Sequence, residues 1–117
     1  MDSKDVSERL LKFSVSVLKF CLPLNKNPIE KHISLQLVRS STSAGANYEE
    51  SRGAESKSDF IHKMQLVFKE LKESFYWIRL LSESGIGKMA DMEKIKIECD
   101  ELVRIIGKSI ATAKKNK

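Results

Sequence analysis

Length, composition and charge describe a small amphipathic chain. The sequence has 117 residues, of which 41% are hydrophobic and 32% are charged, and its formal net charge is +5. This length suits a single domain, and the apolar runs are far too short to span a bilayer. Because the first residues also lack the basic-then-apolar order of a signal peptide, we expect a cytoplasmic protein that has no membrane partner.

The first predicted helix covers residues 3–22 and is apolar on two sides. Its core stripe has the spacing of three and four residues that is typical of a packed helix: Val6, Leu10, Phe13, Val17, Phe20 and Leu24. Roughly 140° around the helix axis lies a second apolar row: Leu11, Val15, Leu18 and Leu22. A subunit of four helices needs one apolar stripe per helix. The second row therefore predicts a subunit interface, with a broad core face as the alternative.

The second predicted helix covers residues 28–52. Asn27 suits the N-cap, Pro28 the first helical position and Glu30 the capping box. We expect its buried side to consist of Ile29, Ile33, Leu37, Ala44 and Tyr48. Residues 40–46 contain only Ser, Thr, Ala and Gly, and all of these except Ala are mediocre helix formers. Such small side chains let a neighbouring helix approach closely, although a loop is the competing interpretation.

A polar row follows one face of the second helix. Its members are spaced by three and four residues: Gln36, Arg39, Ser43, Asn47 and Glu50. One interpretation is a network from Arg39 to Glu50 that fixes the helix register or a subunit contact. The other is a polar surface that lines an assembly and touches a ligand. We favour the first, because Arg39 and Glu50 can neutralise each other.

Two more helices are predicted, over residues 57–84 and 91–113, with Gly85 and Gly87 breaking the chain between them. The core stripes are Phe60, Met64, Val67, Leu71, Phe75 and Ile78 in the third helix, and Met92, Ile95, Cys99, Leu102, Ile106 and Ile110 in the fourth. The third helix has further interface candidates that lie on a different side from its core stripe: Leu66, Trp77 and Leu80. Trp77 is the expected anchor of this interface. Short connections then predict an all-α, antiparallel up-and-down four-helix bundle in one domain, residues 1–117.

The positive charge is concentrated at the C-terminal end. Lys and Arg balance Asp and Glu over residues 1–103, so the excess lies in the last fourteen residues, which contain no acid. This end includes a predicted basic tail over residues 114–117. Its cations either contact nucleic acid or another anion, or they stabilise the C-terminal end of the helix through its dipole and keep the tail soluble. With cations of the first helix, the nucleic-acid-binding candidates are Arg9, Lys12, Lys19, Arg104, Lys108, Lys114 and Lys115.

No catalytic constellation is visible in the sequence. His32 and His62 stand beside basic neighbours, without a Cys, Asp or Glu partner at the spacing of metal ligands. Cys21 and Cys99 occupy apolar helical positions, so we expect two buried thiols and no disulfide. There is no phosphate-binding Gly-rich loop and no nucleophile elbow. We therefore expect a protein that is not an enzyme and needs no metal or cofactor.

The stretch from Gln36 to Gly53, with its Arg-Ser-Ser-Thr-Ser and Asn-Tyr-x-Glu motifs, resembles the hallmark of a bacterial family. These are the four-helix-bundle proteins encoded in intervening sequences of 23S ribosomal RNA genes, also called the S23 ribosomal protein family. Residues 58–64 and 76–78 are similar to its third helix, and the resemblance extends over about residues 10–110. The family motif maps onto Arg39, Ser43, Asn47 and Glu50.

This resemblance implies an antiparallel bundle that assembles as a ring-shaped homopentamer. It also implies kinship with the accessory protein of diversity-generating retroelements, a pentamer that binds nucleic acid and a reverse transcriptase. Two hypotheses follow. In the first, the protein is a homo-oligomer that binds RNA or DNA through basic surfaces of several subunits. In the second, it is a protein-interaction scaffold that docks another protein and never touches nucleic acid.

Overall fold

The computed structural model describes residues 1–116, which form four helices joined by short turns. The helices are α1 (Ser3–Cys21), α2 (Pro28–Arg52), α3 (Lys57–Glu83) and α4 (Met89–Lys115). Each packs against its neighbours in the chain, and α4 closes the bundle against α1. The molecule is a rod of 50 × 22 × 20 Å, and no strand occurs among the described residues. The predicted all-α up-and-down bundle is confirmed.

Side-chain caps mark the start of three helices. Asp2, Asn27 and Ser56 precede α1, α2 and α3, and each side-chain oxygen accepts a hydrogen bond from the backbone N–H three residues later, at 2.9–3.0 Å. Lys88 precedes α4 and makes no such bond. This missing signal explains why the prediction started the fourth helix two residues late, at Asp91.

The predicted basic tail is wrong for its first two residues. α4 continues to Lys115, so Lys114 and Lys115 belong to its last turn, where cations interact favourably with the negative end of the helix dipole. Asn116 follows as the C-cap, and Lys117 lies outside the described residues.

The core contains the predicted stripes of all four helices. The stripe predicted for the first helix is buried throughout, from Val6 in α1 to Leu24 in the turn that follows it. One prediction for α2 is wrong: Ile29 is 70% exposed. It stands in the first turn of α2, where Leu24 from the preceding turn already covers the core. Ser34 donates a hydrogen bond to the Leu24 carbonyl at 3.2 Å and holds that turn in place.

The serine-rich middle of α2 is helical and lies between two neighbours. Ser40 and Ser41 are fully buried. The Ser40 and Ser74 hydroxyls, from α2 and α3, are 2.7 Å apart, and Ser14 of α1 donates to the Ser41 carbonyl at 3.2 Å. The hydroxyls also bond to backbone carbonyls one turn earlier, for example Ser40 to Leu37. These small residues therefore allow close packing on both sides without leaving a polar atom unsatisfied.

Candidate functional site

The two charged residues of the α2 polar row, Arg39 and Glu50, pair with α3 rather than with each other. The Arg39 guanidinium lies 3.3 Å from the Glu70 carboxylate and also pairs with Glu73. Glu50 accepts a hydrogen bond from Lys63 at 2.8 Å. The predicted pairing of Arg39 with Glu50 is wrong, because eleven residues separate them by about 16 Å along one helix, while opposite charges on α3 stand directly opposite each. The row fixes α2 against α3 within one chain.

The rest of this row is also engaged locally. Gln36 accepts a hydrogen bond from Arg39 Nε at 3.3 Å, and Asn47 donates to the Ser43 carbonyl at 2.9 Å. The hydrogen bond to Glu73 raises the pKa of Arg39. Half of the Arg39 side chain still reaches solvent, so the guanidinium is both a structural cation and an accessible one.

Glu73 connects this network to the tryptophan of α3. It accepts a hydrogen bond from Trp77 Nε1 at 2.9 Å. That bond, together with the Arg39 pair, lowers the pKa of Glu73. Trp77 also packs against the core, and Leu66 and Leu80 are half-buried like it. The predicted interface residues of α3 are therefore partly used within their own chain, along the seam with α2.

The second apolar row of α1 is exposed. Leu11 is 58% and Leu22 is 75% exposed, and Val15 and Leu18 are about 40% exposed. The row lies toward α2: Ser7 donates to Glu49 and Ser14 donates to the Ser41 carbonyl, both in α2. Leu11 and Leu18 follow these two serines by four residues, about one helical turn. The antiparallel register set by these two contacts places Leu18 level with Val38, and Leu35 level with the stretch between Leu18 and Leu22. We call this surface the α1–α2 apolar face: Leu11, Val15, Leu18, Leu22, Leu35 and Val38.

The candidate cations fall into two groups on different halves of the rod. Lys12 and Lys19 line a groove between α1 and α4, beside Phe13 and Phe20. The other four lie along the C-terminal half of α4, nearer the opposite end of the bundle from Lys19: Arg104, Lys108, Lys114 and Lys115. Arg104 also pairs with Asp100 at 3.0 Å.

Arg9 differs from the other candidates because it joins α1 to α4. Its guanidinium makes paired hydrogen bonds to Glu98, at 2.5 and 3.0 Å, and a further one to Glu101 at 3.1 Å. These contacts raise its pKa and neutralise its charge locally. Sequence reasoning could not find this cross-link, since it depends on which helices are neighbours in space.

The thiols and histidines form no reactive group. Cys21 and Cys99 are free and buried, and burial raises the pKa of each thiol to about 12. His32 and His62 are exposed on different helices. Within residues 1–116, no three His, Cys, Asp or Glu side chains are placed to hold a metal ion together. None of the helices described has the length and apolar character needed to cross a membrane.

Sequence reasoning missed an open cavity at the end of the bundle where α2 turns into α3. It has a volume of about 1270 Å³ and is lined by residues from all four helices. Tyr48 lines it, although its spacing predicted only a buried core position. No sequence signal identifies such a cavity, because it depends on how far the four helix ends diverge.

Together, these features define a class of small four-helix bundles in which a serine-rich second helix is fixed to the third by ion pairs. The family described as 23S rRNA-intervening sequence protein matches residues 3–108 of the chain. The chain belongs to this family of 23S rRNA-intervening sequence proteins, and the assignment from the sequence motif is confirmed.

A solved structure has the same fold. It is the crystal structure of a protein of unknown function from the S23 ribosomal protein family of Bacteroides thetaiotaomicron VPI-5482. The TM-score is 0.86, with 31% sequence identity over 95% of this chain and 99% of that chain. No curated protein matches the chain. The kinship with retroelement accessory proteins stays a prediction.

Proposed function

We propose that this protein is a non-enzymatic bundle that assembles with copies of itself and, as an assembly, binds RNA or another nucleic acid through its basic surfaces. The observation that carries the proposal is the α1–α2 apolar face. Leu11 and Leu22 expose more than half of their surface, they belong to one apolar row of α1 with Val15 and Leu18, and Leu35 of the neighbouring α2 is exposed as well. Contiguous apolar surface of this kind is typical of an interaction site.

A second copy of the chain is the simplest partner for this face. Leu11 and Leu18 project from α1, while an exposed aromatic side chain, Tyr76, stands edge-on to Trp77 on α3. A contact between these two different surfaces would be heterologous, and repeating it generates a ring if the rotation closes. The family resemblance suggests five subunits.

Assembly also supports the nucleic-acid part of the proposal. Arg104, Lys108 and Lys115 are spaced by four and seven residues, so they share one exposed side of α4, about 6 and 10 Å apart along its axis. One such row carries little charge. Several copies together would present a polycation, and phosphate contacts are additive in their counterion release.

The chemistry of the side chains supports a binding role. The two thiols are buried and have raised pKa values, so neither is an activated nucleophile. Free cysteines are also usual in a reducing compartment, which agrees with a cytoplasmic location. A scaffold that binds only protein is the outcome to be distinguished, and nucleic-acid retention separates the two.

The proposal is tested by the solution mass of Leu11→Glu/Leu18→Glu, measured by light scattering after size exclusion. We expect the unaltered protein to be an oligomer and the variant to be a monomer that keeps its helical circular dichroism, because both residues are exposed in the single chain. Ile97→Glu is the matched control, since Ile97 is at least as exposed as Leu11 and Leu18 but lies on α4. A monomeric unaltered protein, or a variant with the same mass as the unaltered protein, would contradict the proposal.

A further inference from the structure

The bundle-end cavity combines an apolar floor with a cationic rim. Its floor is formed by Val6, Phe60, Met64 and Ile106. Three cations also line it: Arg52, Lys57 and Lys108. Asp2 is the one carboxylate among the lining residues that the structure describes, and it already accepts the N-cap hydrogen bond from Asp5.

These charges are available to a ligand. Arg52 makes one exposed pair with Glu49 at 3.3 Å. Lys57 and Lys108 make no ion pair with any residue of 1–116. The helix dipoles add little, since two helices begin and two end at the cavity and their partial charges offset. The side chains therefore determine the sign of the potential, which is positive.

Tyr48 supplies an independent observation that points to a ligand. Its side chain is only 6% exposed, and its hydroxyl has no hydrogen-bond partner within the described residues. No fully buried side-chain oxygen in that part of the chain lacks a partner, so this hydroxyl keeps its remaining exposure through the cavity. Burial raises the pKa of Tyr48, the charge of Arg52 opposes that shift, and the carboxylates of Glu49 and Asp2 add to it. The Arg52 guanidinium is therefore near the ring, together with its partner Glu49 and with Asp2.

We propose that this cavity binds a small organic anion with an apolar body. The apolar part would cover Phe60, Met64 and Ile106, and the Tyr48 hydroxyl would donate to the anionic group, between Arg52 and Lys57. The Tyr48 hydroxyl can be hydrated through the cavity, and a ligand that displaces this water must accept a hydrogen bond in its place. A ligand that accepts from Tyr48 therefore gains specificity over one that only fills space. The anionic group is a carboxylate or a phosphate, since both accept from hydroxyl, ammonium and guanidinium donors.

The test is titration calorimetry of the full chain with two probes that share a ten-carbon apolar body, decanoate for a carboxylate and decyl phosphate for a phosphate. We expect one of them to bind at one site per chain, and its identity shows which anionic group is used. Inorganic phosphate lacks the apolar body and decanol lacks the charge, so each should bind at least about tenfold more weakly. Failure of both probes to bind at about 1 mM would overturn the proposal.

Two variants localise the binding. Tyr48→Phe keeps the ring and removes the hydroxyl, and Lys57→Ala removes one cation of the rim. Each should weaken binding about three- to tenfold. Lys72→Ala is the control, because Lys72 is an exposed cation on α3 outside the cavity. Binding that is unchanged in both Tyr48→Phe and Lys57→Ala would overturn the assignment. Lys108 lines the cavity and is also a nucleic-acid candidate, so it is left unchanged in these variants. None of the three substituted residues is in the α1–α2 apolar face or among the nucleic-acid candidates, so their effect on anion binding is distinguishable from a failure of the assembly proposal.

Discussion

At the scale of single residues, Glu73 shows how one carboxylate holds two helices together. It pairs with Arg39 of α2 and accepts from Trp77 of its own helix. The spacing of α3 placed Trp77 off the core stripe, whereas in the structure its side chain packs against the core. The indole bond could not be predicted, because it depends on Glu73 being held in place by a cation from another helix. Trp77, which was predicted to anchor a subunit interface, therefore also stabilises the fold of its own chain.

Glu73→Gln should reduce the free energy of unfolding by about 1 kcal/mol at pH 7. The Trp77 and Arg39 bonds lower the pKa of Glu73 from its ordinary 4.5. Its contribution is therefore fully present above pH 4.5 and is lost as the pH falls through the lower folded-state pKa. Urea unfolding of both proteins at pH 7 and pH 3 measures this, with the difference shrinking at pH 3. Glu83→Gln, in an exposed pair with Arg79, is the control and should change stability by less than about 0.5 kcal/mol. An equal loss at both pH values would contradict the charge-based account.

At the scale of elements, the sequence predicted a helix or a turn wherever local chemistry determines it. Asn27 and Ser56 mark helix starts because their side chains bond to the first turn. Ile29 was misplaced because periodicity does not say where the neighbouring helix ends. The turn between α3 and α4 has the same limit: two glycines predicted a break, but only the packing shows that they are not equivalent. Both have positive φ, 69° at Gly85 and 95° at Gly87.

Gly87→Ala should destabilise the bundle more than Gly85→Ala. A methyl group at Gly87 would meet the Phe20 ring of α1, with Cε1 2.9 Å away, whereas nothing lies within 4 Å of one at Gly85. We expect a cost of about 3 kcal/mol at Gly87, from backbone strain and overpacking, and of about 1 kcal/mol at Gly85, from backbone strain alone. Thermal and urea unfolding of the two variants provide the measurement. Equal losses would show that α4 does not depend on this contact with α1.

At the scale of the whole molecule, helix pairing decides which predicted sites come together. The seven candidate cations looked like one basic set in the sequence. In the bundle, Lys12 and Lys19 lie in the α1–α4 groove, away from Lys108 and Lys115, and Arg9 is neutralised by Glu98 and Glu101. Local spacing predicts which face of a helix is buried, and this was enough to predict four amphipathic helices and the bundle. It does not predict which helices are neighbours in space, so the grouping of the charges could not be predicted from the sequence.

The two parts of the proposed function should differ in their dependence on salt. Apolar contact through Leu11 and Leu18 needs no charge, so the oligomer mass should stay the same from about 0.05 M to about 0.5 M NaCl, because salt screens charges and not apolar burial. Retention of a labelled RNA on a filter should fall by orders of magnitude over that range, because phosphate contacts release counterions. Arg104→Ala/Lys108→Ala/Lys115→Ala should make this fall less steep. If the RNA is retained at neither salt concentration, nucleic-acid binding is excluded and the protein-interaction scaffold is left. If the oligomer mass drops as salt is added, ion pairs and not the α1–α2 apolar face hold the subunits together.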